Sequence, residues 1–219
     1  MRPVSPVPLT VHVPVQPPDV SNGALGPYAV PYDRLVGTWH VVASTLPLWN
    51  NKRDVTITYS PIEGASQTTF DDLVEFRRQG AAPDSKKWSV KGIDMLETDV
   101  EGNGARWKWR GKGWLRISTS HWQLLGFSLS PLLSATAVPL GPSPTPSPDW
   151  VVTYFSSTLF TPAGLDIYAR DPRGVDEDKV RALTAEIERL GGEVARLVKG
   201  GKMFRIPHGD EGEEVRTSK

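Results

Sequence analysis

The chain contains no cysteine. That absence removes disulfides, thiol nucleophiles and cysteine-ligated zinc together, and it favours a reducing compartment. No stretch reaches the roughly 18 consecutive apolar residues of a membrane-spanning helix. Pro3, Pro6 and Pro8 break up the start of the chain before a signal-peptide core could form. A cytoplasmic protein with no membrane span is therefore expected. Lysine plus arginine number 25 and aspartate plus glutamate 25, a net charge of +0. Such a balance gives no long-range pull toward nucleic acid or anionic lipid. His12, His40, His121 and His208 lack the spacing of metal ligands. No glycine-rich strand-to-helix loop offers a phosphate cradle, and neither Ser44 nor Ser120 has the context of an activated nucleophile. No metal and no cofactor is expected.

Proline is abundant, with 20 residues concentrated in two stretches. Residues 1–31 read as a disordered N-terminal segment and 128–148 as an insertion, because proline cannot donate within a central strand. The folded body is then 32–207, one domain, and 208–219 is a flexible tail. The apolar first half of the insertion, with Leu129, Leu132, Leu133 and Val138, fits an unpacked loop, a cover over part of the fold or a partner contact. The Pro-x-x-Pro spacings at 3–6 and 14–17 are a slight signal for a protein partner.

Between the two stretches the pattern has period two. Strands are expected at Gly37–Ser44, Asp54–Ser60, Thr69–Arg78, Lys87–Glu97, Gly104–Arg110, Arg116–Leu125, Trp150–Ser157 and Leu165–Arg170. Gly102-Asn103-Gly104 is the strongest hairpin signal. A helix follows, capped by Asp176 and carrying Val180, Leu183, Ile187 and Leu190 on one face, until Gly191-Gly192 ends it. Met203-Phe204-Arg205-Ile206 adds a short last strand. Short strands at this spacing form a sandwich or a barrel, and the pattern does not separate the two.

Four segments decide between them by resemblance. Val36-Gly37-Thr38-Trp39-His40-Val41, Asp54-Val55-Thr56-Ile57-Thr58-Tyr59-Ser60, Asp149-Trp150-Val151-Val152-Thr153-Tyr154 and Leu165-Asp166-Ile167-Tyr168-Ala169-Arg170 resemble, in order, the motifs of the lipocalins, with the bacterial-type members most similar. Pro148 stands where the second motif usually has threonine. The resemblance implies an all-β fold, an eight-stranded antiparallel up-and-down barrel, with a C-terminal α-helix packed outside. It also implies that Trp39 and Arg170 stack at the closed base in a structural role.

The same resemblance, with strict alternation along each strand, implies an inward set. If Trp39 points in, so do Val41 and Ala43; Ile57, Tyr59, Trp107, Trp109, Val152, Tyr154, Asp166 and Tyr168 follow, and His121 aligns with an inward position. The alternation Arg106-Trp107-Lys108-Trp109-Arg110 shows aromatic-in, basic-out directly. Such walls suit a hydrophobic, ring-containing ligand, though the same rings can simply fill a small barrel. Binding or carriage of a small hydrophobic molecule is the leading expectation. The alternative is an isomerase or cyclase acting on an apolar polyene-like metabolite, with His121 and Asp166 as candidate acid and base. Asp94 is ambiguous in orientation.

Overall fold

The computed structural model describes residues 10–14, 25–26, 29–82, 84–99, 102–129, 148–159 and 161–209. Most of the proline-rich insertion, the tail beyond 209 and much of the N-terminal segment lie outside the described residues. The elements run α1 (Tyr32–Leu35), β1 (Gly37–Ser44), β2 (Lys52–Pro61), β3 (Thr69–Arg78), β4 (Trp88–Leu96), β5 (Arg106–Gly111), β6 (Thr119–Ser128), β7 (Trp150–Phe155), β8 (Gly164–Ala169), α2 (Glu177–Arg189), α3 (Gly192–Val198) and β9 (Phe204–Arg205). Each of the first seven strands pairs antiparallel with the next, and β8 closes on β1. The result is a closed eight-stranded up-and-down barrel. Closure leaves no free edge in the ring, and β9 adds only two residue pairs at the far end of β1.

Two apolar layers follow from the alternation. One fills the barrel, with Trp39, Tyr59, Phe70, Trp107 and Trp122 at its heart. The other lies between the outer wall and the helices, where Val180, Leu183, Ile187, Val194 and Val198 meet Val42, Leu125, Trp150, Val152 and Ile167. The Asp176 carboxylate caps α2 by accepting from the Lys179 amide at 2.8 Å. The glycine pair ends that helix, with positive φ at both residues, but the chain then re-enters a second helix, α3, which the sequence pattern did not reveal. Among the described residues no helix is long and apolar enough to cross a membrane.

Parts of the N-terminal segment are built into the body, contrary to the expectation of a wholly disordered 1–31. Val11 is buried in the outer layer, and the His12 amide donates to the Leu125 carbonyl at 2.7 Å. Leu25 is buried at the base, where its carbonyl accepts from the Gly104 amide at 3.1 Å. Isolated apolar residues between prolines gain by burial even where the backbone cannot join a ladder. The Gly102-Asn103-Gly104 turn also differs from a tight two-residue hairpin. Asn103 is buried, its amide donates to the Glu97 and Arg106 carbonyls, and its oxygen accepts from the Ala105 and Arg106 amides. The side chain thus staples a wider loop.

The base is sealed by Arg170. Its guanidinium lies 3.7 Å from the Trp39 ring centre and donates to the carbonyls of Arg34, Val36 and Thr38. Gly37 has φ 102°, and a Cβ there would come within 3.1 Å of the Arg170 guanidinium. Both facts require glycine two residues before the tryptophan. The Trp39 indole donates to Leu35 at 2.8 Å, which ties α1 across the same end. Replacing Arg170 by alanine strips three carbonyls of a charged donor and uncovers the indole. Urea denaturation of Arg170→Ala is expected to show a loss of about 2–4 kcal/mol, and Arg170→Lys to recover less than half, because a point-like ammonium cannot stack and bridge together.

Candidate ligand site inside the barrel

The register fixes which side chains line the interior. Tyr59 on β2 faces Asp72 on β3, and Asp72 faces Gly92 on β4. One step along, Phe70 faces Asp94, and Asp94 faces Trp109 on β5. Trp107 faces Trp122 on β6. Across the barrel Thr153 on β7 faces Asp166 on β8, which faces Ser44 on β1, while Val151 faces Tyr168 and Tyr168 faces Val41. Val41, Ile57, Tyr59, Trp107 and Tyr168 are buried in the inner layer, Trp109 packs against it, and Asp166 is fully buried.

Four expected inward residues lie elsewhere. Val152 and Tyr154 point outward into the layer under the helices, opposite Ile167 and Leu165. The reason is parity, since a shift of one residue sends every side chain to the other face. His121 is outside as well, opposite Lys108. Its Nδ1 stands 2.9 Å from Glu97 Oε1 without the alignment of a hydrogen bond. His121 and Asp166 are therefore on opposite sides of the wall and do not form the acid–base pair considered from the sequence. Ala43 is also outward, because a bulge between Val41 and Ala43 inverts the parity of β1.

Asp166 is a latch. One carboxylate oxygen accepts from the Ser44 hydroxyl at 2.5 Å and the other from the Trp49 indole at 3.1 Å. Trp49 belongs to a short 3-10 turn, Pro47–Trp49, in the β1–β2 loop. That loop stands at the end of the barrel opposite the Trp39–Arg170 seal, so Trp49 covers the mouth. Its ring meets Phe76 edge-on at 6.2 Å. Outside it lies a depression of about 420 Å³ lined by Asn51, Lys52, Gln79, Phe204 and Arg205.

Two further carboxyls sit within. Asp94 is fully buried; Oδ1 accepts from the Trp122 indole at 2.7 Å, and Oδ2 has no partner. Asp72 is 7% exposed and its Oδ1 has no partner. Gly92 makes this arrangement possible. A Cβ there would stand 2.1 Å from Trp109 Nε1, so the missing side chain lets the indole lie over β4 beside Asp72. The Tyr168 hydroxyl is buried without a hydrogen-bond partner; the nearby Thr153 hydroxyl is directed to the Asp166 carbonyl at a long 3.5 Å.

Below these groups the rings are stacked. Trp107 and Trp122 lie 4.5 Å apart and nearly parallel, and Trp122 stacks on Tyr59 at 5.9 Å. Tyr32 meets Trp107 edge-on from α1 and donates to the Gly104 carbonyl at 2.9 Å, which closes the floor.

Burial dominates the electrostatics. It pushes Asp166 up to about 7, against the hydrogen bonds from Ser44 and Trp49. It lifts Asp72 to about 7, opposed by the Trp109 indole and assisted by Asp71. Asp94 rises well above the ordinary carboxylate range, through burial and then the charge of Asp72, opposed by Trp122. Tyr59 is raised well above the usual phenol value by burial first and then by Tyr168 and the aspartates; Tyr168 is raised by burial first and then by the aspartates, Asp166 foremost, against the nearby Thr153 hydroxyl. Among the described residues, no lysine, arginine or histidine acts on the three carboxyls. Among the described residues no three acidic or imidazole side chains converge closely enough to hold a metal ion.

No family model matches the sequence, and no curated protein matches it. Solved structures do match. Insecticyanin from the tobacco hornworm Manduca sexta is 11% identical, with 93% of this chain and 92% of that one covered at a TM-score of 0.57. The chain has the lipocalin fold. Lobster apocrustacyanin A1 is 12% identical over 81% of this chain and 79% of its own, at a TM-score of 0.47. The siderocalin Ex-FABP is 10% identical over 80% and 91%, at 0.42. At such identities the likeness speaks to the fold alone.

Asp72, Asp94, Trp49 and Trp122 were not among the residues expected inside the barrel from the sequence, apart from the ambiguity noted at Asp94. Adjacent Asp71-Asp72 gives no alternation to show which carboxylate turns in. The buried carboxyls make a pH prediction. Their folded pKa values lie above the ordinary 3.8, so between about 4 and 7 the folded state holds more protons than the unfolded chain. The stability they contribute is complete below about 4 and is lost as pH rises through about 7. His40, lowered from 6.5 by burial and by His208, acts in the opposite sense as the pH falls below that value. Urea denaturation at about pH 6.5 and about pH 8.5 is expected to find the protein less stable at the higher pH, and Asp72→Asn and Asp94→Asn each to flatten that slope.

Proposed function

We propose that this protein binds and carries a small, largely apolar, ring-bearing molecule inside its barrel. One observation carries the reading: Asp72 Oδ1, Asp94 Oδ2 and the Tyr168 hydroxyl are buried among aromatic rings and left without partners. Buried polar atoms are costly when unpaired and are nearly always satisfied in folded proteins. A fold selected only for stability would have replaced them with apolar residues of similar shape. A ligand with a flat body and a polar point completes them. The fold agrees, since eight-stranded barrels of this type have room for side chains or for one small ligand.

Binding requires the interior to rearrange. The stack of Trp107, Trp122 and Tyr59 occupies the space a planar ligand would take, so such a ligand slides between rings or turns them. The route in is past Trp49, held by one hydrogen bond to Asp166. The rim around it exposes Leu48, Trp114, Ile117 and Leu159, an apolar approach for an apolar cargo. A cytoplasmic setting belongs to this reading, supported by the absence of cysteine.

Fluorescence titration with planar aromatic probes tests it. Saturable quenching or energy transfer from the barrel tryptophans is expected. Unchanged emission with every probe up to its solubility limit would end the proposal. Trp49→Phe keeps the ring and removes the N–H that binds Asp166. It is expected to raise both association and dissociation rates roughly tenfold in stopped-flow traces, as loss of a lid contact should.

A further inference from the structure

We infer that the ligand carries a basic nitrogen, an organic ammonium or protonated amine, seated between the Asp72 and Asp94 carboxyls and the faces of the surrounding rings. This rests on the proposed function and names the chemistry of the same site.

Geometry comes first. Asp72 and Asp94 are next-but-one neighbours on the inner faces of β3 and β4, with Asp72 opposite Gly92 and Asp94 opposite Phe70. On that diagonal the side chains are within reach of a single small group. Each presents one oxygen with no partner in the protein. Tyr59, Trp109 and Trp122 stand on neighbouring inner positions. Carboxylates with ring faces around them are the two features that recognise an ammonium, the first by charge and hydrogen bonds, the second through the ring quadrupole.

The alternatives fit less well. An anionic ligand would meet three buried carboxyls and two phenols, with no basic side chain among the described residues acting on those carboxyls. A metal ion needs a tighter set of donors than the described residues supply. A neutral hydroxyl would donate to one oxygen, and a neutral carbonyl would accept from one carboxyl only while it is protonated; either would leave the second carboxyl unpaired. An ammonium has three donors, enough for both free oxygens and a further acceptor such as the Tyr168 hydroxyl.

The charge balance makes the inference measurable. The groups facing the pair are Tyr59 from β2, Trp109 from β5, Trp122 from β6 and Asp166 and Tyr168 from β8. On the outer wall stand Asp71, Lys91 and Lys112, the last bound to Asp71 at 2.6 Å. Among the described residues no cation faces inward, and the carboxyl pair holds on to protons well above the ordinary carboxylate range. Seating an ammonium stabilises the ionised form, so binding expels a proton. Affinity for an amine therefore rises as pH increases through about 7, where Asp72 gives up its proton unaided. A neutral ligand shows no such rise.

The experiment compares three probes that share one ring system: naphthylmethylamine, naphthylmethanol and naphthylacetate. Each is titrated calorimetrically into the wild-type protein in two buffers of different ionisation enthalpy, at about pH 6 and about pH 8. The expected result is at least tenfold tighter binding of the amine than of the alcohol at the higher pH, release of a substantial fraction of a proton at the lower pH, and no binding of the acetate. In Asp72→Asn with Asp94→Asn the amine-to-alcohol ratio is expected to fall to about one, whereas Asp71→Asn on the outer wall keeps it. Alcohol and amine binding equally to the wild type, or acetate binding best, overturns this inference and leaves the proposed function standing. Binding of none of the three overturns both. The wild-type comparison decides without any variant, so a double variant that fails to fold does not rescue the idea.

Discussion

Closure of the barrel depends on one contact, the guanidinium of Arg170 lying over the Trp39 ring. Three facts of sequence meet there. Gly37 supplies a backbone angle and a clearance that no side chain permits. Trp39 supplies the ring, and Arg170 leaves the last barrel strand at the height of the first. The guanidinium satisfies three carbonyls of the segment entering β1. In an up-and-down barrel the first and last strands are farthest apart in sequence, so their pairing costs the most loop-closure entropy. A stacked, hydrogen-bonded clasp at that seam offsets part of the cost. At the opposite end the mouth is covered by Trp49, bound to Asp166.

Much of the architecture was legible because the signals were local. Arg106-Trp107-Lys108-Trp109-Arg110 alternates so sharply that only one face of β5 can turn inward. Asp176 followed by acidic residues and an apolar stripe can only start an amphipathic helix against a wall. The errors share a different cause. Every residue of Trp150–Phe155 is buried or nearly so, because this strand has the core on one side and the helices on the other. A strand buried on both faces has no alternation to read, and parity taken from a motif placed Val152 and Tyr154 on the wrong side. In β1 the alternation is real up to Val41 but a bulge resets it, and a bulge leaves no mark in a run of valine and alanine. His121 was misplaced by the same kind of slip, within a strand whose own bulge falls between Leu124 and Gly126.

The site was harder to see because its defining residues are polar ones in the wrong place. Nothing in Phe70-Asp71-Asp72-Leu73 says that the second aspartate is inside. What reveals it is pairing across three strands: Tyr59 beside it, Gly92 beyond, and Trp109 leaning over the glycine. Gly92 in the middle of a strand costs backbone entropy and contributes no packing. Its use becomes plain only when the indole that occupies the space of its missing Cβ is known. Gly64 and Gly80, by contrast, have positive φ in loops.

Asp166 and the Asp72–Asp94 pair, although all are buried carboxyls, differ in a way that assigns them different work. Asp166 has both oxygens engaged by groups of the protein, Ser44 and Trp49, and its hydrogen bonds hold a loop over the mouth. The pair leaves one oxygen apiece unengaged. A satisfied buried acid is structure; an unsatisfied one is a cost carried by the fold. The charges of all three reach the two interior phenols, Tyr59 and Tyr168, yet Asp166 itself answers to its burial, Ser44 and Trp49. An ammonium that displaces a proton from the pair leaves the charge there unchanged, so the latch at the mouth and the unsatisfied pair within are held by separate interactions.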